Sequence, residues 1–182
     1  MSIYTHTGDE GKTCRITGEN VDKDDSQICF YGLLDELSSY IGWLLASFPK
    51  EENIFWKAEK NILRHAQQLL FRLPLGFLES KEKEKTAPSK ADVEALEQYI
   101  DTTDRELKGL FKGFILPGGG QPIAAQTHIV RCVCRRIERE LLSLKKQSKS
   151  IENLMKIGFT WAYINRFSDF LYAMAQKLEN DK

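Results

Sequence analysis

Apolar residues in this chain recur at the helical interval and almost nowhere at the alternating interval of a strand. From Ile28 to Phe48 they fall at Leu33, Leu37, Tyr40, Ile41, Leu44 and Leu45. From about Asn53 to Leu73 they fall at Ile54, Ala58, Ile62, Ala66, Leu69 and Leu70. A third stripe is Val93, Leu96, Ile100, Leu107 and Leu110, and a fourth helix spans about Pro122 to Leu144. A fifth, from about Ile151 to Leu178, carries Ile157, Trp161, Ile164, Ser168, Leu171, Ala175 and Leu178. Such stripes mark one buried face of a helix. Pro49 and Pro74 close the first two helices, because the residue before a proline is pushed out of the helical region. Asp25 or Ser26 caps the first helix, and Ser89 with Asp92 forms a capping-box-like start to the third. Strand signal is confined to short pieces around Ile3-Tyr4 and Arg15-Ile16. Five long helices with mostly short connections predict an all-α chain, an antiparallel five-helix bundle preceded by an N-terminal loop.

At 182 residues the expectation is a single domain, 1–182, with a polar loop over 1–25 and the helical bundle over 26–182. Lys plus Arg and Asp plus Glu both number 26, so the formal net charge is zero. The basic excess of a nucleic-acid binder is absent, and no nucleic-acid partner is expected. No apolar run is long enough to span a bilayer, and the first residues lack the basic and apolar regions of a secretory signal. The expected location is the cytoplasm. Cys132 and Cys134 lie on different faces of a helix, a spacing unlike C-x-x-C, and the four cysteines read as ordinary reduced residues. The run from Lys81 to Lys85 reads as a solvated linker.

Three polar groups resist a reading as bundle alone. The segment FILPGGGQPIAAQTHIVRCVCRRIER, residues 114–139, opens with the glycine break Gly118-Gly119-Gly120 and continues into a helix carrying Arg131, Arg135 and Arg139. Arginines repeating every four residues share a face, and a guanidinium fork suits carboxylate or phosphate. The alternative is a solvated basic face. The N-terminal loop, Thr7-Gly8-Asp9-Glu10-Gly11-Lys12-Thr13, has the glycines, hydroxyls and lysine of a phosphate loop, and Lys23 adds a further cation. It lacks the Walker spacing G-x-x-x-x-G-K-S/T. Asp35-Glu36 stands among Leu33, Leu34 and Leu37, where a carboxylate needs a cationic partner and the arginine helix offers one; the alternative is a surface carboxylate pair. Asn165 and Asp169 share a face of the fifth helix. Glu138 either buttresses Arg135 or helps hold a divalent cation.

Taken together, IYTHTGDEGKT, VDKDD, YGLLDELSSYIG, FILPGGG, HIVRCVCRRIER and YINRFSDFLY, in this order, resemble the PduO-type ATP:cob(I)alamin adenosyltransferases along essentially the whole chain. The resemblance implies a homotrimeric helical bundle with active sites between subunits. It implies transfer of the 5′-deoxyadenosyl group of ATP to the cobalt of cob(I)alamin, with release of triphosphate. By the same resemblance Thr7, Gly8, Asp9, Gly11, Lys12 and Thr13 wrap the ATP phosphates, with Lys23 completing the cage. Arg135, Glu138 and Asn165 hold ATP and its Mg2+, with Glu138 toward the metal. Arg131 pairs with Asp35 across the subunit boundary, and Phe114 lies against the corrin. An adenosylcobalamin-dependent acceptor enzyme and a cobalamin reductase would be partners. The chain departs from the family pattern in three places. These are Ser26-Gln27-Ile28-Cys29-Phe30, an apparent extra residue around Gly120-Gln121-Pro122, and Phe71-Arg72-Leu73-Pro74-Leu75. These departures motivate the alternative of a non-catalytic ATP-binding or cobalamin-carrying trimer.

Overall fold

The computed structural model describes residues 4, 6–49, 56–78, 83–109, 116–117 and 120–180. Among these the chain is mostly helical with one small antiparallel sheet. Strands β1 (Lys12–Cys14) and β2 (Asn20–Asp22) form a hairpin in the register Lys12↔Asp22, Thr13↔Val21 and Cys14↔Asn20. The helices are α1 (Ser26–Ser47), α2 (Lys57–Arg72), α3 (Lys90–Glu106), α4 (Pro122–Gln147), α5 (Lys149–Lys156) and α6 (Thr160–Asn180). Two 3-10 turns, Leu73–Phe77 and Lys83–Thr86, fall between α2 and α3. Ile3, Ile54, Leu110 and Phe114 lie outside the described residues. No described helix is long and apolar enough to cross a membrane.

Pairing between helices fixes their directions. Gln67 of α2 donates to the Ser38 carbonyl of α1 at 2.9 Å. Glu59 meets Tyr99 and His65 meets Asp92, which sets α2 against α3 in opposite senses. Arg166 pairs with Glu97 and Lys177 approaches Glu106, so α3 and α6 run parallel. His128 faces Tyr172 while Asn165 bonds Glu138, so α4 and α6 are antiparallel.

The core lies along these seams. In α1 the buried positions are Gln27, Phe30, Leu34, Leu37, Ile41 and Leu44, spaced by threes and fours. The expected stripe was rotated slightly: Leu33, Tyr40 and Leu45 flank this seam half-buried. Rings of Tyr163, Phe167 and Phe170 stack along α6 at centroid distances of 6.0 and 5.7 Å. Ile137 and Leu141 of α4 are fully buried against them. Each such Leu, Ile or Phe contributes about 1.5–3 kcal/mol on burial.

Where expectation and structure differ, the causes are local. Asp25 is the residue that caps α1, its carboxylate accepting from the Gln27 amide at 3.0 Å. Ser89 and Asp92 form the expected capping box. Ala58 is exposed, and its neighbour Glu59 takes the buried place. The Glu59 carboxylate is fully buried because Tyr99 donates to it at 2.8 Å and Lys177 at 3.1 Å. The expected fifth helix is two helices, α5 and α6. They break at Gly158, which has φ +56° and sits against Pro88; a Cβ there would stand 2.6 Å from the Pro88 carbonyl. The expected strand at Arg15-Ile16 is instead the turn of the hairpin, closed by the Arg15 amide on the Glu19 carbonyl at 2.8 Å.

The hairpin is tied to α1 by Arg15, whose guanidinium donates to both oxygens of Asp25 at 3.0 and 2.5 Å. Arg15 holds the Asp25 carboxyl below the ordinary carboxylate value of 3.8; burial opposes this and the Gln27 amide assists it. A carboxyl with a lowered folded pKa stabilises fully above its unfolded value and loses that contribution as pH falls through the folded value. Two outcomes are expected. Arg15→Gln lowers the opening free energy of the hairpin by about 1 kcal/mol at neutral pH, read by hydrogen exchange at Lys12–Cys14, and flattens the loss that the parent chain shows below about pH 4. Gly158→Ala destabilises the fold by about 1–3 kcal/mol, read by chemical denaturation; an unchanged midpoint refutes the strain argument.

Candidate functional site

The N-terminal loop is a tight structure with its glycines at the turns. The Asp9 amide donates to the His6 carbonyl and the Gly11 amide to the Gly8 carbonyl, both at 3.3 Å. His6 has φ 60°, and its Nδ1 meets Asp9 Oδ2 at 3.0 Å. Gly11, at φ 78°, turns the chain into β1 and leaves its carbonyl to accept from the Lys23 amide at 2.9 Å. That bond folds Lys23 back over the loop. A Cβ at Gly8 would stand 3.2 Å from the Lys23 ammonium, so the missing side chain is what lets the cation approach. Lys12 pairs with Asp22 at 2.7 Å, and Thr13 is half-buried in β1. Lys23 has no carboxylate partner among the described residues, so its charge is available above the loop.

The second cluster stands on α4 beside α6. Their seam presents Glu138 to Asn165, whose Nδ2 donates to Glu138 Oε1 at 2.9 Å. This bond leaves the second carboxylate oxygen of Glu138 without a partner among the described residues. Arg135 is exposed, and only its carbonyl is engaged, by Arg139 Nη1 at 3.0 Å. Arg131 is half-buried one turn earlier; its Nε donates to His128 Nδ1 at 3.3 Å. The cluster combines two guanidinium groups, a carboxylate oxygen and an amide on one strip of surface. That set can bind a polyanion and, through the one carboxylate, a cation already held by that anion. No group of three or more His, Cys, Asp or Glu residues able to hold a metal by itself occurs among the described residues.

The structure joins Gly8 to Lys23 and Glu138 to Asn165. It does not join Arg131 to Asp35. Asp35 is exposed and makes no ion pair among the described residues, so its apolar neighbours Leu33, Leu34 and Leu37 misled the expectation of a core-facing carboxylate. The α1–α4 ion pair is Glu36 with Arg136 instead. Arg131 and Arg136 are five positions apart, which turns them roughly 140° from one another around the helix. Arg136 therefore faces α1 while Arg131 faces away from it. Asp169 is taken by Arg166 at 2.7 Å. Phe114 lies outside the described residues.

Sequence reasoning missed His128, which is 2% exposed and touches Arg131 directly. Its spacing of three from Arg131 was the available signal. The residues that depart from the family pattern have local partners. Gln27 is buried and accepts from the Tyr31 hydroxyl at 3.3 Å. Cys29 Sγ contacts the Asp24 carbonyl at 3.5 Å, and Pro122 occupies the first turn of α4, where its missing N–H is harmless. Burial pushes the Cys134 thiol up to about 12, which makes it a packing group; Cys14, Cys29 and Cys132 are exposed and free.

Comparison with known proteins finds matches along nearly the whole chain. The profile of the cobalamin adenosyltransferase family covers residues 3–178. The corrinoid adenosyltransferase of Bacillus subtilis (strain 168) is 35% identical over 179 residues, which cover 97% of this chain and 86% of that protein. The corrinoid adenosyltransferase PduO of Citrobacter freundii is 33% identical over 186 residues, covering 100% of this chain and 51% of its own, so this chain spans about half the length of that relative. Among solved structures, a variant of the PduO-type ATP:corrinoid adenosyltransferase from Lactobacillus reuteri, complexed with cobalamin and ATP, superimposes with a TM-score of 0.75. It has 28% identity, covering 96% of this chain and 92% of that one. The chain belongs to the cobalamin adenosyltransferase family.

Proposed function

We propose that the chain is an ATP:cob(I)alamin adenosyltransferase. The observation that carries the reading is the strip on α4 where Arg131, Arg135 and Glu138 stand together, closed by Asn165 from α6. Its residue types are those a nucleotide triphosphate requires, in a chain whose family is established. The cobalt of cob(I)alamin supplies an electron pair to C5′ of ATP. The C5′–O bond breaks, triphosphate leaves with the bonding pair, and cobalt passes from the +1 to the +3 state. No proton is exchanged at the reacting carbon, so no general acid or base is needed. The protein's tasks are alignment and neutralisation of the charge that grows on triphosphate.

In this reading Thr7, Gly8, Asp9, Gly11, Lys12 and Thr13 wrap the triphosphate, and Lys23 is the cation folded over them. Arg135 and Asn165 hold the nucleotide. Mg2+ fits the one unpaired oxygen of Glu138, since a metal carried in by phosphates needs few protein ligands. Asp35 and Arg131 turn away from one another within the chain. In this reading they pair across the boundary of a homotrimer with sites at subunit interfaces. Phe114 is the candidate for the corrin side. In this reading α1, α2, α3, α4 and α6 are the five helices of the bundle, with α5 as a detached first segment of the last helix. Residues 1–182 act as a single domain, with 1–25 as the nucleotide loop. The four free cysteines suit the reducing cytoplasm. A cobalamin reductase and an adenosylcobalamin-dependent enzyme would stand on either side of the reaction.

The direct test is anaerobic. Purified protein with Mg-ATP and chemically reduced cobalamin should convert the visible spectrum to that of adenosylcobalamin, well above a control without protein. ATP binding without conversion would replace the catalytic reading with that of a nucleotide-binding or cobalamin-carrying relative. Arg135→Ala is expected to weaken ATP binding by about 1.5–3 kcal/mol, measured by titration calorimetry. Phe114→Ala is expected to spare ATP affinity and reduce turnover. Equal losses of ATP affinity in the two variants would refute this division of labour.

A further inference from the structure

We propose that His128 is a positioning residue for Arg131: a neutral imidazole, clamped between α4 and α6, that accepts the guanidinium Nε–H and fixes where the outer nitrogens of Arg131 point. The proposal rests on the reading above that Arg131 belongs to the active site.

The geometry assigns the tautomer. Nδ1 lies 3.3 Å from Arg131 Nε, and a guanidinium can only donate, so Nδ1 carries a lone pair. In a neutral ring the proton is then on Nε2. That nitrogen faces α6, where Glu179 Oε1 lies 3.9 Å away. Neither Nε2 nor Glu179 Oε1 has another partner among the described residues, and both atoms are buried. The ring is 2% exposed, and Tyr172 of α6 packs edge-on at a centroid distance of 6.3 Å. The imidazole has little freedom to rotate, and the carboxylate favours the Nε2–H form over its alternative. Among the described residues, the groups bearing on it are Arg131 from its own helix, with Glu179 and the ring of Tyr172 from α6.

Arginine reaches its target through a long flexible stem, and a free guanidinium samples many directions. Spending Nε on a buried acceptor fixes the plane of the guanidinium: Nη2 lies 3.6 Å from the Cys132 thiol, and Nη1 is left without a partner among the described residues. Protonation of His128 would place a proton on Nδ1, abolish the acceptor and set two cations side by side. Burial, and then Arg131, keep the imidazole below its ordinary value of 6.5, while Glu179 opposes them. Arg131 is therefore held near neutral pH and released on the acid side of that value.

The acceptor can be separated from the bulk of the ring. In His128→Asn the side-chain oxygen falls near the place of Nδ1, whereas His128→Gln puts its amide farther out and gives Arg131 no acceptor. We expect His128→Gln to lower kcat by about 10- to 100-fold with a much smaller change in KM for ATP, and His128→Asn to recover most of that loss. The parent chain should show an acid limb in kcat that His128→Asn lacks. Nitrogen NMR of histidine in the unaltered protein should show Nε2 protonated and Nδ1 bare, a reading that does not depend on any variant folding. Equal impairment in the Asn and Gln variants, or a protonated Nδ1 at neutral pH, would overturn the proposal. Arg131→Ala separates the two levels of the argument. Full activity in that variant removes the role of Arg131 and the positioning role with it. An inactive Arg131→Ala beside Asn and Gln variants of equal activity removes only His128.

Discussion

The antiparallel seam between α4 and α6 is the constraint on which the other features depend. Its buried side holds Val130, Val133, Cys134, Ile137 and Leu141 against Ile164, Phe167, Phe170 and Leu171. The same two backbones, packed that closely, put Glu138 within hydrogen-bond distance of Asn165 and His128 within reach of Glu179. Polar chemistry on the flank of a helix is only as well placed as the apolar face behind it, because interiors pack at crystal-like density and deform little. The precision of the strip is thus inherited from aliphatic and aromatic contacts that no ligand touches.

Around this seam the remaining helices do two kinds of work. α1 joins α4 through the Arg136–Glu36 pair, and α3 joins α6 through Arg166 and the Tyr99–Phe170 ring contact. The ion pairs are partly exposed and contribute little individually. Glu59 is different in kind, since a buried carboxylate is tolerated only because Tyr99 and Lys177 meet it from two other helices.

Much of this was legible in the sequence because it is governed by local rules. Helical period, Pro49 and Pro74 as stops, and the Ser89–Asp92 capping box act within a few residues. The motifs likewise named Gly8 with Lys23 and Glu138 with Asn165, two pairs that meet in the structure. What the sequence did not disclose depends on contacts between distant segments or on one backbone angle. Ile157 and Trp161 keep helical spacing across Gly158, so periodicity runs through the break while φ does not. No local rule marks Glu59 as buried, because its partners lie 40 and 118 positions away. Asp35 misled in the opposite way: apolar neighbours in sequence are not neighbours in space on a helix, where successive residues diverge by roughly 100°.

Asp25 carries one more consequence. Its carboxylate caps the first turn of α1 through the Gln27 amide and receives the Arg15 guanidinium that docks the hairpin. Fraying of the helix start and detachment of the hairpin are therefore not independent events, since either one removes a partner from the same two oxygens. The loop and the first turn form one cooperative unit. Any stiffening of the hairpin passes through this carboxylate into the first turn of α1. The hairpin and the start of α1 therefore share a single mechanical hinge point.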